Sequence, residues 1–124
     1  MFNCTEIPKI HYDYRASMRL MHNNANVVQE LTMMLKTALP KFKAEFQKAI
    51  HEYNIDDIRM TAHKLHGGVC YVSVPKLAYL VYHLETACKK YPEEIDHIIA
   101  YLIPSIEALE AELSQFVTGF VDND

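Results

Sequence analysis

The segment Met60–Val72, MTAHKLHGGVCYV, carries three side chains able to do chemistry: His63, His66 and Cys70, at spacings of three and four. Imidazole nitrogens act as nucleophiles, move protons or bind metals, and a cysteine sulfur binds soft metals. Spacings of three and four place all three on one face of a helix. Directly after His66 stand Gly67 and Gly68. A glycine in a helix interior costs about 0.5–1 kcal/mol relative to alanine, so the pair wants a reason. Either another backbone packs closely there, or room is kept beside a working histidine.

The elements that must hold these residues read as helices. A short first helix is expected over Asp13–His22, with NNAN as break and cap. From Val27 the residues Leu31, Leu35, Ala38, Phe42, Phe46 and Ala49 recur every three or four positions, the apolar face of a long helix. Pro40 should bend it or divide it into two abutting helices. Asn54 suits an N-cap, with Asp56 and Asp57 in a first turn whose dipole favours acids. The core stripe of that helix is Ile58, Ala62, Leu65, Val69 and Val72; the line Arg59, His63, His66, Gly67, Cys70 runs beside it.

SVPK stops and restarts the chain, with Ser73 or Val74 capping and Pro75 in the first turn. The helix that follows should reach about Lys90, on a stripe of Leu77, Leu80, Val81, Leu84, Ala87 and Cys88. YPEE begins a last helix, bent at Pro104, with Ile95, Ile99, Leu102, Ile106, Leu109, Leu113 and Phe116 on one face. Four amphipathic helices with short links must bury their faces together. The expected fold is all-α: an antiparallel up-down four-helix bundle with a short extra N-terminal helix. His63 then lies at the bundle's edge. Met33, Met34 and Met60 are read as core filler and Cys70 as a small buried residue near the helix end. His11, His22, His51, His83 and His97 form no spacing pattern and are read as structural or surface residues.

The 124 residues fit a single domain, 1–124, too short to add a nucleotide-binding domain. Half are hydrophobic and 23% charged, a globular composition. A net charge of −4 argues against nucleic acid, which needs a basic face. Cys4, Cys70 and Cys88 are odd in number and lack CxxC spacing, so neither a disulfide framework nor a zinc finger is indicated and a reducing cytosol fits. The first residues, MFNCTEIPKIHYDYR, lack an apolar signal stretch, and no segment runs about 18 apolar residues. A soluble, cytoplasmic domain without membrane contact of its own is expected, compatible with a place in a larger membrane-anchored parent. A monomer is expected, because one exposed histidine needs no second subunit.

AHKLHGGVCYVSVPKLAYLVYHLE resembles the signature of histidine-containing phosphotransfer (HPt) domains: A-H-x-L-K-G, an apolar stretch, a turn, and a helix ending in L-E or L-Q. The form H-K-L-H-G…Y…V-P…L-E is similar to the C-terminal HPt domain of BarA/GacS-type hybrid sensor kinases. The resemblance implies that His63 is the phosphorylated residue, that Gly67 leaves space for the phosphoryl group, and that Glu85, 22 positions on, hydrogen-bonds the other ring nitrogen. His66 stands where many members carry a lysine that steadies the phosphoryl group; its charge depends on pH and a lysine's does not, so Lys64 or Lys89 are candidates to share that role. The implied function is a phosphorelay intermediate that takes a phosphoryl group from the receiver-domain aspartyl phosphate of a hybrid sensor kinase and passes it to a response-regulator aspartate. The domain would bind no cofactor, and Mg²⁺ would belong to the receiver. With neither G-x-G-x-x-G nor G-x-x-x-x-G-K-[ST], ATP-dependent kinase activity is not expected. Arg59, Ala78, Tyr82 and Lys89 are the candidate docking rim, the last three on one stripe with Glu85.

Two other readings follow from the residues. His63, His66 and Cys70 could supply three ligands to a metal-binding bundle. A ferritin-like di-metal site, however, would need a glutamate where Met60 stands. A non-catalytic adaptor bundle is the third, in which replacing His63 would change nothing.

Overall fold

Three short polar side chains start three of the helices. Asp13 accepts the Ala16 N–H at 2.9 Å, Asn24 the Val27 N–H at 3.2 Å and Asn54 the Asp57 N–H at 3.1 Å, each satisfying a donor that has no partner within its helix. The resulting computed structural model describes residues 2–122, with side chains through 116. It contains α1 (Tyr14–Leu20), α2 (Ala25–His51), α3 (Ile55–Gly68), α4 (Pro75–Lys90) and α5 (Ile95–Asp122), with 3-10 turns at Cys4–Glu6 and Pro92–Glu94. No strand occurs among the described residues. Each of α2, α3, α4 and α5 packs against two of the others, α5 closing back onto α2, while α1 lies on α2.

The core fills the space this ring encloses. Ile58, Ala62 and Leu65 from α3, Leu77, Leu80, Val81 and Leu84 from α4, and Ile95, Ile98, Leu102, Ile106, Leu109 and Leu113 from α5 are buried with Phe46 and Leu39 of α2. Val69 and Val72 are buried as expected but lie past the end of α3, Val69 as its C-cap. Val74 caps α4 without a side-chain hydrogen bond and Pro75 opens its first turn. The link between α3 and α4 is anchored from outside: Ser73 N–H donates to the buried Ser17 Oγ at 2.8 Å, and Asp13 N–H donates to the Ser73 carbonyl at 2.9 Å.

The structure corrects two details of α2. The helix runs unbroken through Pro40, so it does not divide. Pro40 is exposed, where water can satisfy the carbonyl it leaves unpaired. The buried line is Val28, Thr32, Leu35, Leu39, Phe46 and Ala49; Leu31, Ala38 and Phe42 flank it half-buried. Thr32 enters the core because its hydroxyl shares a 2.8 Å hydrogen bond with Tyr12 OH, which removes the cost of burying it. In α5, Ile98 is buried and Ile99 half-buried, and the helix continues through the exposed Pro104.

Met33, Met34 and Met60 are exposed, at 47%, 67% and 48%, and do not fill the core. Cys70 is exposed too, its Sγ donating to the His66 carbonyl at 3.2 Å.

Leu65 is fully withdrawn from solvent on the helix that carries His63. Leu65→Ala should therefore lower unfolding stability by about 2–5 kcal/mol in a denaturant titration. A loss well under 1 kcal/mol would mean that this part of the core is not close-packed.

Candidate functional site

Burial of Ala62 and Leu65 turns the adjacent face of α3 outward, and the His63 side chain is 72% exposed there. Its ring is nevertheless tethered. His63 Nδ1 donates to Glu85 Oε1 at 2.8 Å, across from α3 to α4. Glu85 is only 12% exposed, one position after the fully buried Leu84. A nearly buried carboxylate thus holds an exposed imidazole in one tautomer. With Nδ1 carrying the proton, Nε2 keeps its lone pair toward solvent.

Glu85 serves more than one partner. Lys89 Nζ, one turn along α4, donates to Oε1 at 3.3 Å, and His66 Nδ1 lies 3.5 Å from Oε2. Burial pushes the Glu85 carboxyl upward, but the hydrogen bonds from His63 and Lys89 outweigh it and hold the group below the ordinary carboxylate range. The edge of the Tyr82 ring meets His66 at a centroid distance of 6.0 Å. His63, His66, Tyr82, Glu85 and Lys89 therefore form one cluster. Lys64 lies apart from it, lining a shallow pocket with Glu45, Lys48, Asp57 and Met60 on the side of α2. Arg59 is half-buried, and Ala78 is half-buried against the core rather than free at the surface.

The glycine pair has its explanation in empty space. A Cβ built on Gly67 or Gly68 would meet nothing within 4 Å, and neither has a positive φ. No backbone packs against them, and no special conformation requires them. Gly67 leaves the surface open one turn beyond His63, while Gly68 borders an apolar groove with Leu31, Leu35, Phe42, Met34 and Tyr71.

Cys70 does not join the histidines. Among the described residues, no group of three His, Cys, Asp or Glu side chains is placed to hold a metal ion. The three-ligand arrangement weighed from spacing does not form, because α3 ends at Gly68 and Cys70 sits in the turn beyond it.

The model of the Hpt domain family matches residues 30–119 of the chain. The chain belongs to the Hpt domain family. This family carries out histidine phosphotransfer within phosphorelays, through interaction with receiver domains. Among solved structures, the HPT domain of an Hpt sensor hybrid histidine kinase from Shewanella is similar, with a TM-score of 0.83 and 24% identity over 88% of this chain and 95% of that one. Histidine-containing phosphotransfer protein B from Pseudomonas aeruginosa PAO1 is similar at a TM-score of 0.73 and 16% identity, covering 90% of this chain and 97% of that one. Both are likenesses of fold. No curated protein matches the chain in sequence. No helix among the described residues of this Hpt domain is long and apolar enough to cross a membrane.

One cluster had no signature in the sequence. Phe2 packs against His83 and His97 at centroid distances of 5.8 and 5.2 Å, and against Tyr79 and Tyr101 at 6.1 Å each. Burial lowers the pKa of His83 there, as its first cause. The alternation of aromatic and histidine residues on α4 and α5 was the available clue; their meeting through Phe2 was not.

Two outcomes follow from this geometry. Gly67→Ala should raise stability by about 0.5–1 kcal/mol, the helix-propensity difference, when thermal or denaturant midpoints are compared; a loss of stability would show that something closes on the glycine after all. Because the Glu85 carboxyl is depressed on folding, its contribution is present above the unfolded carboxylate range and disappears as pH falls through the folded value. Glu85→Gln should cost about 1 kcal/mol at neutral pH, and the variant should match the wild type in acid. A difference independent of pH would remove the charge from the explanation.

Proposed function

We propose that His63 is the phosphoryl carrier of a phosphorelay, taking the group from the aspartyl phosphate of one receiver domain and delivering it to the aspartate of a response regulator. The observation that carries this reading is the 2.8 Å hydrogen bond from His63 Nδ1 to Glu85 on an otherwise exposed ring. It leaves Nε2 as the nucleophile. In the forward step the Nε2–P bond forms as the aspartyl O–P bond breaks, and the carboxylate leaves with the electron pair. Nδ1 keeps its proton, and Glu85 faces the positive charge that develops on the ring. Delivery to the second aspartate is the same sequence reversed.

Gly67 provides room for the incoming phosphoryl group, and Lys89, His66 and, more remotely, Lys64 provide positive character. Arg59, Tyr82 and Lys89 form the docking rim, with the exposed Met60 one turn before His63 on α3 and Ala78 one turn before Tyr82 on α4. Exposed apolar side chains next to a reactive group are what a transient protein contact needs. The Mg²⁺ of the transfer step is assigned to the receiver domain, in keeping with the relay reading. We take residues 1–124 as a single, monomeric, cytoplasmic domain, an antiparallel up-down bundle extended by α1, with no ATP-dependent activity and the setting of a hybrid sensor kinase relay. The short links α2–α3 and α3–α4 support the antiparallel order.

Intact-mass analysis after incubation with a small phosphoramidate at neutral pH tests the carrier assignment without a partner. One phosphoryl addition that is lost on acid treatment and absent from His63→Gln is the expected result. Addition that persists unchanged in His63→Gln would defeat it.

A further inference from the structure

The departure at His66 acquires a physical meaning from its neighbours. Its ring is 39% exposed, its Nδ1 faces Glu85 Oε2 at 3.5 Å, and the Tyr82 edge flanks it. His63 uses the other oxygen, Oε1, at 2.8 Å. Because the two imidazoles address different oxygens of one carboxylate, both can be held at once, and protonating His66 does not displace His63. The groups at His66 are Glu85 and Tyr82 from α4, with Lys89 on the same carboxylate, His63 one turn back on α3, and Cys70 in the turn past α3, its Sγ donating to the His66 carbonyl rather than to the ring. Lys89 is already directed at Glu85 Oε1 and Lys64 is on the α2 side of α3. His66 Nε2 makes no hydrogen bond among the described residues, and it remains as a donor when the ring is charged.

We propose that His66 is a conditional cation of this site: Glu85 and Tyr82 hold its ring beside His63, so that its protonated form favours phosphoryl capture on His63 and its neutral form does not. The proposal rests on the reading of His63 as phosphoryl carrier. A lysine at this position would be charged throughout the physiological range, whereas an imidazole changes charge within it. The relay step would then respond to pH through a residue that is not itself phosphorylated.

The small phosphoramidate donor isolates this step. His63 Nε2 forms its bond to phosphorus as the donor's P–N bond breaks; ammonia leaves with the electron pair, and Nδ1 keeps its proton. Rates of phosphoryl addition to His63 are read by mass spectrometry between about pH 5.5 and 8 for the wild type, His66→Gln and His66→Lys. Dividing each rate by that of His66→Gln at the same pH cancels the dependence due to the donor and to His63. The expected wild-type ratio is roughly fivefold at the acid end, the size of a unit charge about 4 Å away in water, declining toward one at the alkaline end. His66→Lys should hold its ratio level across the range. Tyr82→Ala, which changes no charge near neutrality, should reduce the acid-side ratio by loosening the ring.

A wild-type ratio that stays flat, or profiles of the wild type and His66→Lys that run parallel, would overturn the proposal while leaving His63 as carrier. No addition to His63 in any protein at any pH would overturn the carrier assignment, and this proposal with it.

Discussion

Leu65 of α3 and Leu80, Val81 and Leu84 of α4 are completely withdrawn from water, and a helix can bury a given side chain at only one rotational setting. That constraint orients the site. With Leu84 turned inward, Glu85 is carried to the edge of the α3–α4 contact, nearly buried yet able to reach across; with Leu65 turned inward, His63 faces out. The hydrogen bond between them is a consequence of apolar burial on two helices. Its own energy is modest, since the imidazole end is largely in solvent. What it contributes is direction: one nitrogen committed, the other available.

The helical frame was legible because its signals are local. Asn54 with two aspartates behind it, Pro75 after Val74, and leucines at steps of three and four mark starts, stops and faces within a turn or two of chain. All five apolar positions expected to line the core from Ile58 to Val72 are buried. One misjudged detail depends on a partner far away in sequence. Thr32 is polar and would not be assigned to a core, yet it is buried because Tyr12 brings a hydroxyl to it. Met33, Met34 and Met60 have the chemistry of core residues, but they stand off the stripes that Leu31, Leu35 and Ala38 and Ile58, Ala62 and Leu65 mark, and the stripes, rather than residue type, agree with their exposure. Pro40 stands on an exposed face of α2, where water can pair the carbonyl it frees.

At the site, His63 and Glu85 were readable through the resemblance, and the spacing of three between His63 and His66 placed both rings on one side of α3. The spacing did not reveal that one carboxylate would serve two rings and a lysine. Nor could it separate the two readings of the glycines, since close approach and open space look the same in a sequence. The contact geometry separates them, because nothing lies where a Cβ would stand. Cys70 illustrates the limit of helical arithmetic: a position seven residues on shares a face only if the helix persists that far, and α3 ends at Gly68.

The family match begins at residue 30, but the structure does not divide there. Tyr12 and Ser17 are buried, one bonded to Thr32 and the other to the main chain of Ser73, and Lys76 N–H donates to the Ile10 carbonyl at 3.1 Å. The stretch preceding α2 is therefore a brace on the turn that sets α4 against α3. A fragment trimmed to the matched residues would keep every group of the reactive cluster and strip the support from the hinge between its two halves. For this chain, the unit recognised by sequence similarity and the unit that holds its own shape are different lengths of polypeptide.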